Sequence, residues 1–83
     1  MVLVNWDFIG SDEELKEGDK TFKKMADMSE GVEYLGRYTP TNIKWHFTYF
    51  FKCDSPEAWA TRKRPDWKRD RSKWTHGAVW EFV

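Results

Sequence analysis

Two short runs carry the side chains best suited to acid–base chemistry. VLVNWDFI, residues 2–9, holds Asn5 and Asp7, and KWHFTYFFK, residues 44–52, holds His46, Thr48 and Phe50. Within each run these residues are two apart. A β-strand has a side-chain period of two, so each set falls on one face of its strand. Histidine is the residue type that exchanges protons near neutral pH, and a carboxylate or amide beside it can orient the ring. The catalytic candidates are therefore His46, Asn5 and Asp7. Arg37, Thr48, Phe50, Glu81 and Trp67 are the ligand-binding candidates, with Arg37 able to take a carboxylate through two parallel hydrogen bonds. Asp7 and Glu81 would share a face as paired carboxylates if the first and last strands were neighbours; a salt bridge of either acid to Arg37 is the plainer alternative. The ordinary reading of His46 is a wall or surface histidine bonded to a neighbour.

Other chemistries find little support. Two histidines thirty residues apart and the single cysteine, Cys53, have no metal-ligand spacing. There is no glycine-rich phosphate loop and no serine nucleophile elbow, so no metal and no cofactor is expected. Cys53 cannot form a disulfide within the chain, which suits a reducing compartment, and it reads as a small buried hydrophobe. The opening residues lack a basic start followed by a long apolar core, and no apolar run is long enough to span a bilayer. The expected location is the cytoplasm.

The elements that would position these side chains follow from punctuation and periodicity. Residues 2–9 alternate as a strand and end at Gly10. Ser11 with Glu14 forms a capping box, and Asp12, Glu13 and Glu14 suit the positive end of a helix dipole. Leu15, Phe22, Met25 and Ala26 follow helical spacing, with Asp19 the polar exception on that stripe. Gly18 inside the helix costs about 1 kcal/mol relative to alanine. Gly31 should stop the helix near residues 28–30. VEYLGRY, residues 32–38, is a second strand, and its Gly36 suggests a bulge or a close backbone approach. The turn TPTN leads into the aromatic strand 42–53. Ser55 and Pro56 open a second helix that Pro65 should end or kink. Residues 66–74 are expected as a further short helix with Trp67 and Trp74 inward, and residues 76–83 as the last strand.

The order β-α-β-β-α-β, with right-handed crossovers, gives an α+β domain over residues 1–83. It would be a ferredoxin-like βαββαβ fold with a four-stranded antiparallel sheet in the order 4-1-3-2 and both helices on one face. Val2/Val4/Trp6/Phe8, Val32/Tyr34/Tyr38, Trp45/Phe47/Tyr49/Phe51 and Ala78/Trp80/Phe82 would then meet the helices. The opposite face would carry Leu3, Ile9, Leu35, Phe50, Val79 and Val83 around a polar set of Asn5, Asp7, Arg37, His46, Thr48 and Glu81. A sheet face turned to water is mostly polar, and this one is not. Two copies closing face to face would bury it and enclose a chamber with an apolar lining and a few polar groups.

The run GVEYLGRY at 31–38, the aromatic strand after it and DSPEAW at 54–59 make the chain resemble the dimeric α+β barrel superfamily, near a group of small, functionally uncharacterised members. The resemblance covers most of the chain in the order of its elements, and its motifs are structural rather than catalytic. It implies a sheet-to-sheet homodimer. It also implies a range of activities that includes cofactor-independent monooxygenases, haem-degrading enzymes, dye-decolourising peroxidases and stress-response proteins. Asn5, Trp59 or Trp67, and His76 match the haem-degrading residue types, but His76 follows the second helix instead of lying on it.

Charge divides the partner question. Acids and bases balance at 14 each. Yet residues 59–74 hold Arg62, Lys63, Arg64, Lys68, Arg69, Arg71 and Lys73 against Asp66 and Asp70, a segment that could meet an anion. A nucleic-acid reading would use this segment and its tryptophans at 62–74; the zero net charge and the absence of an RNA-recognition aromatic pattern argue against it. The expected function is small-molecule binding by a homodimer, with cofactor-independent oxygenase or isomerase-like chemistry in the inter-sheet cavity. The alternative is a structural or interaction domain without chemistry. The expected partners are a second copy and a small organic ligand, with no membrane.

Overall fold

A computed structural model describes residues 1–81; Phe82 and Val83 lie outside the described residues, as do the side chains of His76, Ala78, Trp80 and Glu81. The expectations placed on those side chains therefore lie outside it too. The elements run β1 (Val2–Phe8), α1 (Asp12–Met28), β2 (Val32–Tyr38), β3 (His46–Cys53), α2 (Pro56–Ala60) and β4 (Trp74–Glu81). The strands form one antiparallel sheet in the order β2-β3-β1-β4, which is 4-1-3-2 when read from the β4 edge. This α+β arrangement is compatible with a ferredoxin-like fold.

The core lies between the sheet and the helices. Val2, Val4, Trp6 and Phe8 of β1 and Phe47, Tyr49 and Phe51 of β3 form one buried cluster with Leu15, Phe22, Met25 and Ala26 of α1 and Trp59 of α2. Tyr49 and Phe51 are fully buried. Large rings carry much of this small core, as the composition requires. Local signals place the helices over it. The Ser11 hydroxyl accepts from the Glu14 amide at 3.2 Å while the Glu14 carboxylate accepts from the Ser11 amide at 3.2 Å. Ser55 caps α2 in the same way, through the Ala58 amide at 3.2 Å.

Gly18 has a packing reason. A Cβ there would lie 2.7 Å from the Trp74 ring, so only glycine lets this indole approach α1. Trp74 opens β4 two residues earlier than the alternation predicts. It sits 4.3 Å from Phe8 and 6.2 Å from Trp6, centroid to centroid.

The structure departs from expectation in three regions. Trp45 is not core: β3 begins only at His46, four residues later than expected, and the indole is 52% exposed while its carbonyl accepts from the Phe8 amide at 2.8 Å. Helix α2 ends at Ala60, well short of Pro65, and residues 62–70 run without helix or strand instead of forming a further short helix. That segment is anchored by side chains. Ser29 Oγ accepts from the Lys63 amide at 2.9 Å, and Trp67 packs edge-on against Trp6, Phe22 and Trp74.

The third departure concerns which side chains share a face. In β2 the register slips between Tyr34, opposite Phe51, and Gly36, opposite Phe50. One extra residue in a strand reverses every later side chain. Gly36 takes φ +128°, a backbone conformation glycine tolerates best. Arg37 is thereby turned to the helix side, and Tyr38 to the other face. A similar slip between Val4 and Trp6 in the β1–β4 pairing, with the extra residue on β4, sets Val79 opposite Val4 on the helix side.

Candidate functional site

The face of the sheet away from the helices brings together part of the expected set. Across β1 and β3 the register pairs Leu3 with Phe50, Asn5 with Thr48 and Asp7 with His46. Each pair makes side-chain contact chemistry of its own kind. His46 Nδ1 lies 2.7 Å from Asp7 Oδ1. An ionised carboxylate only accepts, so Nδ1 carries a hydrogen, and in the neutral ring Nε2 is then the accepting nitrogen. Thr48 Oγ1 donates to Asn5 Oδ1 at 2.7 Å. Thr39 Oγ1 donates to the His46 carbonyl at 2.6 Å, tying the loop before β3 to the strand. Leu3 and Phe50 are half-buried, and the Tyr38 ring meets Phe50 edge-on at 4.9 Å. These side chains floor an open groove of about 620 Å³ lined by Leu3, Asn5, Tyr38, Thr39, Pro40, Thr48 and Phe50. His46 and Asp7 continue the same row of residues toward the end of β1.

Two of the expected ligand-binding residues are elsewhere. The bulge at Gly36 carries Arg37 to the helix side, where Nε lies 3.0 Å from Asp19 Oδ1 and the guanidinium sits 5.1 Å above the Phe47 ring. This explains Asp19, the polar exception on the α1 stripe: it meets the arginine that the bulge delivers. Trp67 also lies on the helix side, partly buried against the core, and does not close the groove on the open face. The Glu81 side chain lies outside the described residues; its backbone pairs with Val2, while Thr75 pairs with Asp7. Of the apolar residues expected on the open face, Val79 is on the helix side, Ile9 lies past the end of β1 and is 74% exposed, and Leu3, Leu35 and Phe50 remain. Tyr38 joins them, a residue that uninterrupted alternation assigned to the core.

The helix side holds a polar cluster of its own. Burial raises the Asp19 carboxyl above its usual range, against the lowering influence of Arg37 and the Tyr49 hydroxyl. Burial, then the charge of Asp19, pushes the Tyr34 hydroxyl up to about 12 and the Tyr49 hydroxyl further still. The two hydroxyls are held protonated by their surroundings, and the cluster has a structural task. Among the described residues no three His, Cys, Asp or Glu side chains gather in a way that could hold a metal ion. No described helix is long and apolar enough to cross a membrane. No family model, curated protein or solved structure matches the chain.

Proposed function

We propose that the open face of the sheet is half of a binding chamber that is completed when two copies pair sheet to sheet, as in a dimeric α+β barrel, and that the chamber takes a small organic molecule. The observation that carries this reading is the Asp7–His46 hydrogen bond at 2.7 Å beside a groove floored by Leu3, Tyr38 and Phe50. The groove gives an apolar bed, and the ring opposite the Asp7 contact keeps a proton-accepting nitrogen. Leu35 and Tyr38, 41% and 59% exposed in the single chain, would be covered by the partner. Within such a chamber Asn5 and Thr48 orient the ligand and His46 Nε2 accepts a proton from it. Both isomerisation and cofactor-independent oxygenation begin with removal of a substrate proton.

Light scattering on a sizing column tests the pairing directly. The expected mass is about twice the chain's 10.0 kDa; a monomer at high micromolar concentration removes the chamber. A small-molecule library read by thermal shift then tests the site, because a ligand that binds only the folded state raises Tm. His46→Ala and Asp7→Asn should each abolish the response to hits of the wild type while leaving far-ultraviolet circular dichroism unchanged. A response that survives both substitutions moves the site away from this face.

A further inference from the structure

The groove on the other side of the sheet has a different chemistry. It lies between α1, α2 and the irregular segment 62–70, encloses about 350 Å³, and has Trp6, Phe22 and Trp67 in its floor and Arg62, Arg64 and Arg69 around it. We infer that this groove binds a planar aromatic carboxylate.

The charge is lopsided. Three arginines line one concavity, and no described residue lining it is acidic. A cleft lined by one sign of charge over apolar walls concentrates its field and draws in the opposite charge. Arg64 and Arg69 form no ion pair with any described carboxylate. The remaining donor capacity is also placed. The Arg69 guanidinium lies 4.7 Å above the Trp6 ring, whereas Arg62, 4.0 Å above the Trp59 ring, donates to the Trp59 carbonyl at 2.9 Å. An arginine stacked on an indole keeps its N–H fork in the plane of the guanidinium, directed past the ring edge, where a carboxylate can meet it with two bonds. Arg69 Nε is buried and has no hydrogen-bond partner among the described residues. A buried donor left unmade is costly, so a site that ordinarily supplies an acceptor there is the economical explanation.

The floor selects the rest of the ligand. Trp67 meets Trp6 and Phe22 edge to face, with centroids 6.4 and 5.6 Å away. Such a surface takes a flat ring by the same edge and offset contacts. The volume lies at the lower end of the range for small-molecule sites, which fits one or two fused rings. This site is on the opposite face of the sheet from Asp7 and His46, so it stands whether or not two sheets pair.

The test uses 2-naphthoate, the neutral 2-naphthalenemethanol and inorganic phosphate, each titrated against the full chain with tryptophan fluorescence and calorimetry as readouts. Naphthoate should bind and quench, about tenfold or more tighter than the alcohol, and phosphate alone should not quench. Arg64→Gln and Arg69→Gln should each weaken naphthoate about tenfold, the loss expected for one charge-assisted hydrogen-bond pair. His46→Ala should leave naphthoate binding unchanged. Arg64 is exposed, so its substitution leaves the fold intact and decides the matter even if Arg69→Gln unfolds the chain. Equal affinity for the alcohol, no binding at millimolar naphthoate, or full affinity in Arg64→Gln would each overturn the inference.

Discussion

The two faces of the sheet use similar residue types for different ends. On the helix side, rings and charges are locked: Tyr49 and Phe51 are fully buried, and Arg37 is held between Asp19 and the Phe47 ring. On the open side, the same β3 strand presents His46, Thr48 and Phe50 half-buried, each facing one partner across β1. The difference teaches that the aromatic content of this chain is not one reservoir of core. Alternate residues of a single strand build a rigid interior and an accessible, chemically mixed floor.

The comparison can be broken most decisively at adjacent phenylalanines. Phe51→Ala should cost about 3–5 kcal/mol, the usual range for emptying a buried aromatic site. Phe50→Ala should cost only about 1 kcal/mol in the single chain, because much less area is withdrawn from water there. Urea unfolding of both variants measures the ratio. Equal losses would mean that the open face is covered as fully as the core, and a concentration-dependent loss for Phe50→Ala alone would identify the cover as a second copy.

A smaller effect is expected at Gly18. Alanine there gains about 1 kcal/mol of helix propensity but forces a methyl against the Trp74 ring, and overpacking of this kind costs about 1–3 kcal/mol. The net change should be a lower Tm. A raised Tm would mean that Trp74 moves aside freely and that the helix side is less rigid than described.

The smallest effect is a pH dependence confined to the helix side. Tyr34 and Tyr49 bind their protons more tightly in the folded chain than at the ordinary value of 10.0. Their contribution to stability is therefore complete below pH 10 and is lost as pH rises through about 12 and beyond. Thermal melts across this window should show the decline, and Tyr49→Phe should make it shallower. An unchanged slope would remove burial of the Tyr49 hydroxyl as its cause.

The sequence made the order of elements legible because each boundary carries its own chemical mark, from the Ser11–Glu14 capping box to the Ser55–Pro56 helix start. It also made the Asn5/Asp7 and His46/Thr48/Phe50 sets legible, since no irregularity interrupts β1 or β3 between them. What it concealed lies downstream of slips in pairing. Counting by twos across Gly36 exchanges Arg37 with Tyr38, and counting through β4 misplaces Val79, because periodicity assumes that both strands advance together. Gly36 itself was a visible signal, since a glycine within a strand often marks a bulge. Its consequence for Arg37 follows only when the alternation is restarted after it, and Asp19 on the core stripe of α1 was the matching sign that a cation was due there. Residues 62–70 were misread for another reason. Trp67 and Trp74 are spaced for a helix, but Pro65 and the anchoring of Trp67 among other rings keep the chain out of one.

The slip at Gly36 also makes β2 unusually sensitive to length. Losing one residue from the strand there would leave its ends joined and its hydrogen bonding largely recoverable, yet it would drive a guanidinium out of the interior and a phenol into it. The resulting protein would be altered in phase more than in size, with Asp19 stranded under α1 and the floor beside Phe50 made cationic. A change that looks trivial in a string of letters would thus rewrite both surfaces of the molecule at once.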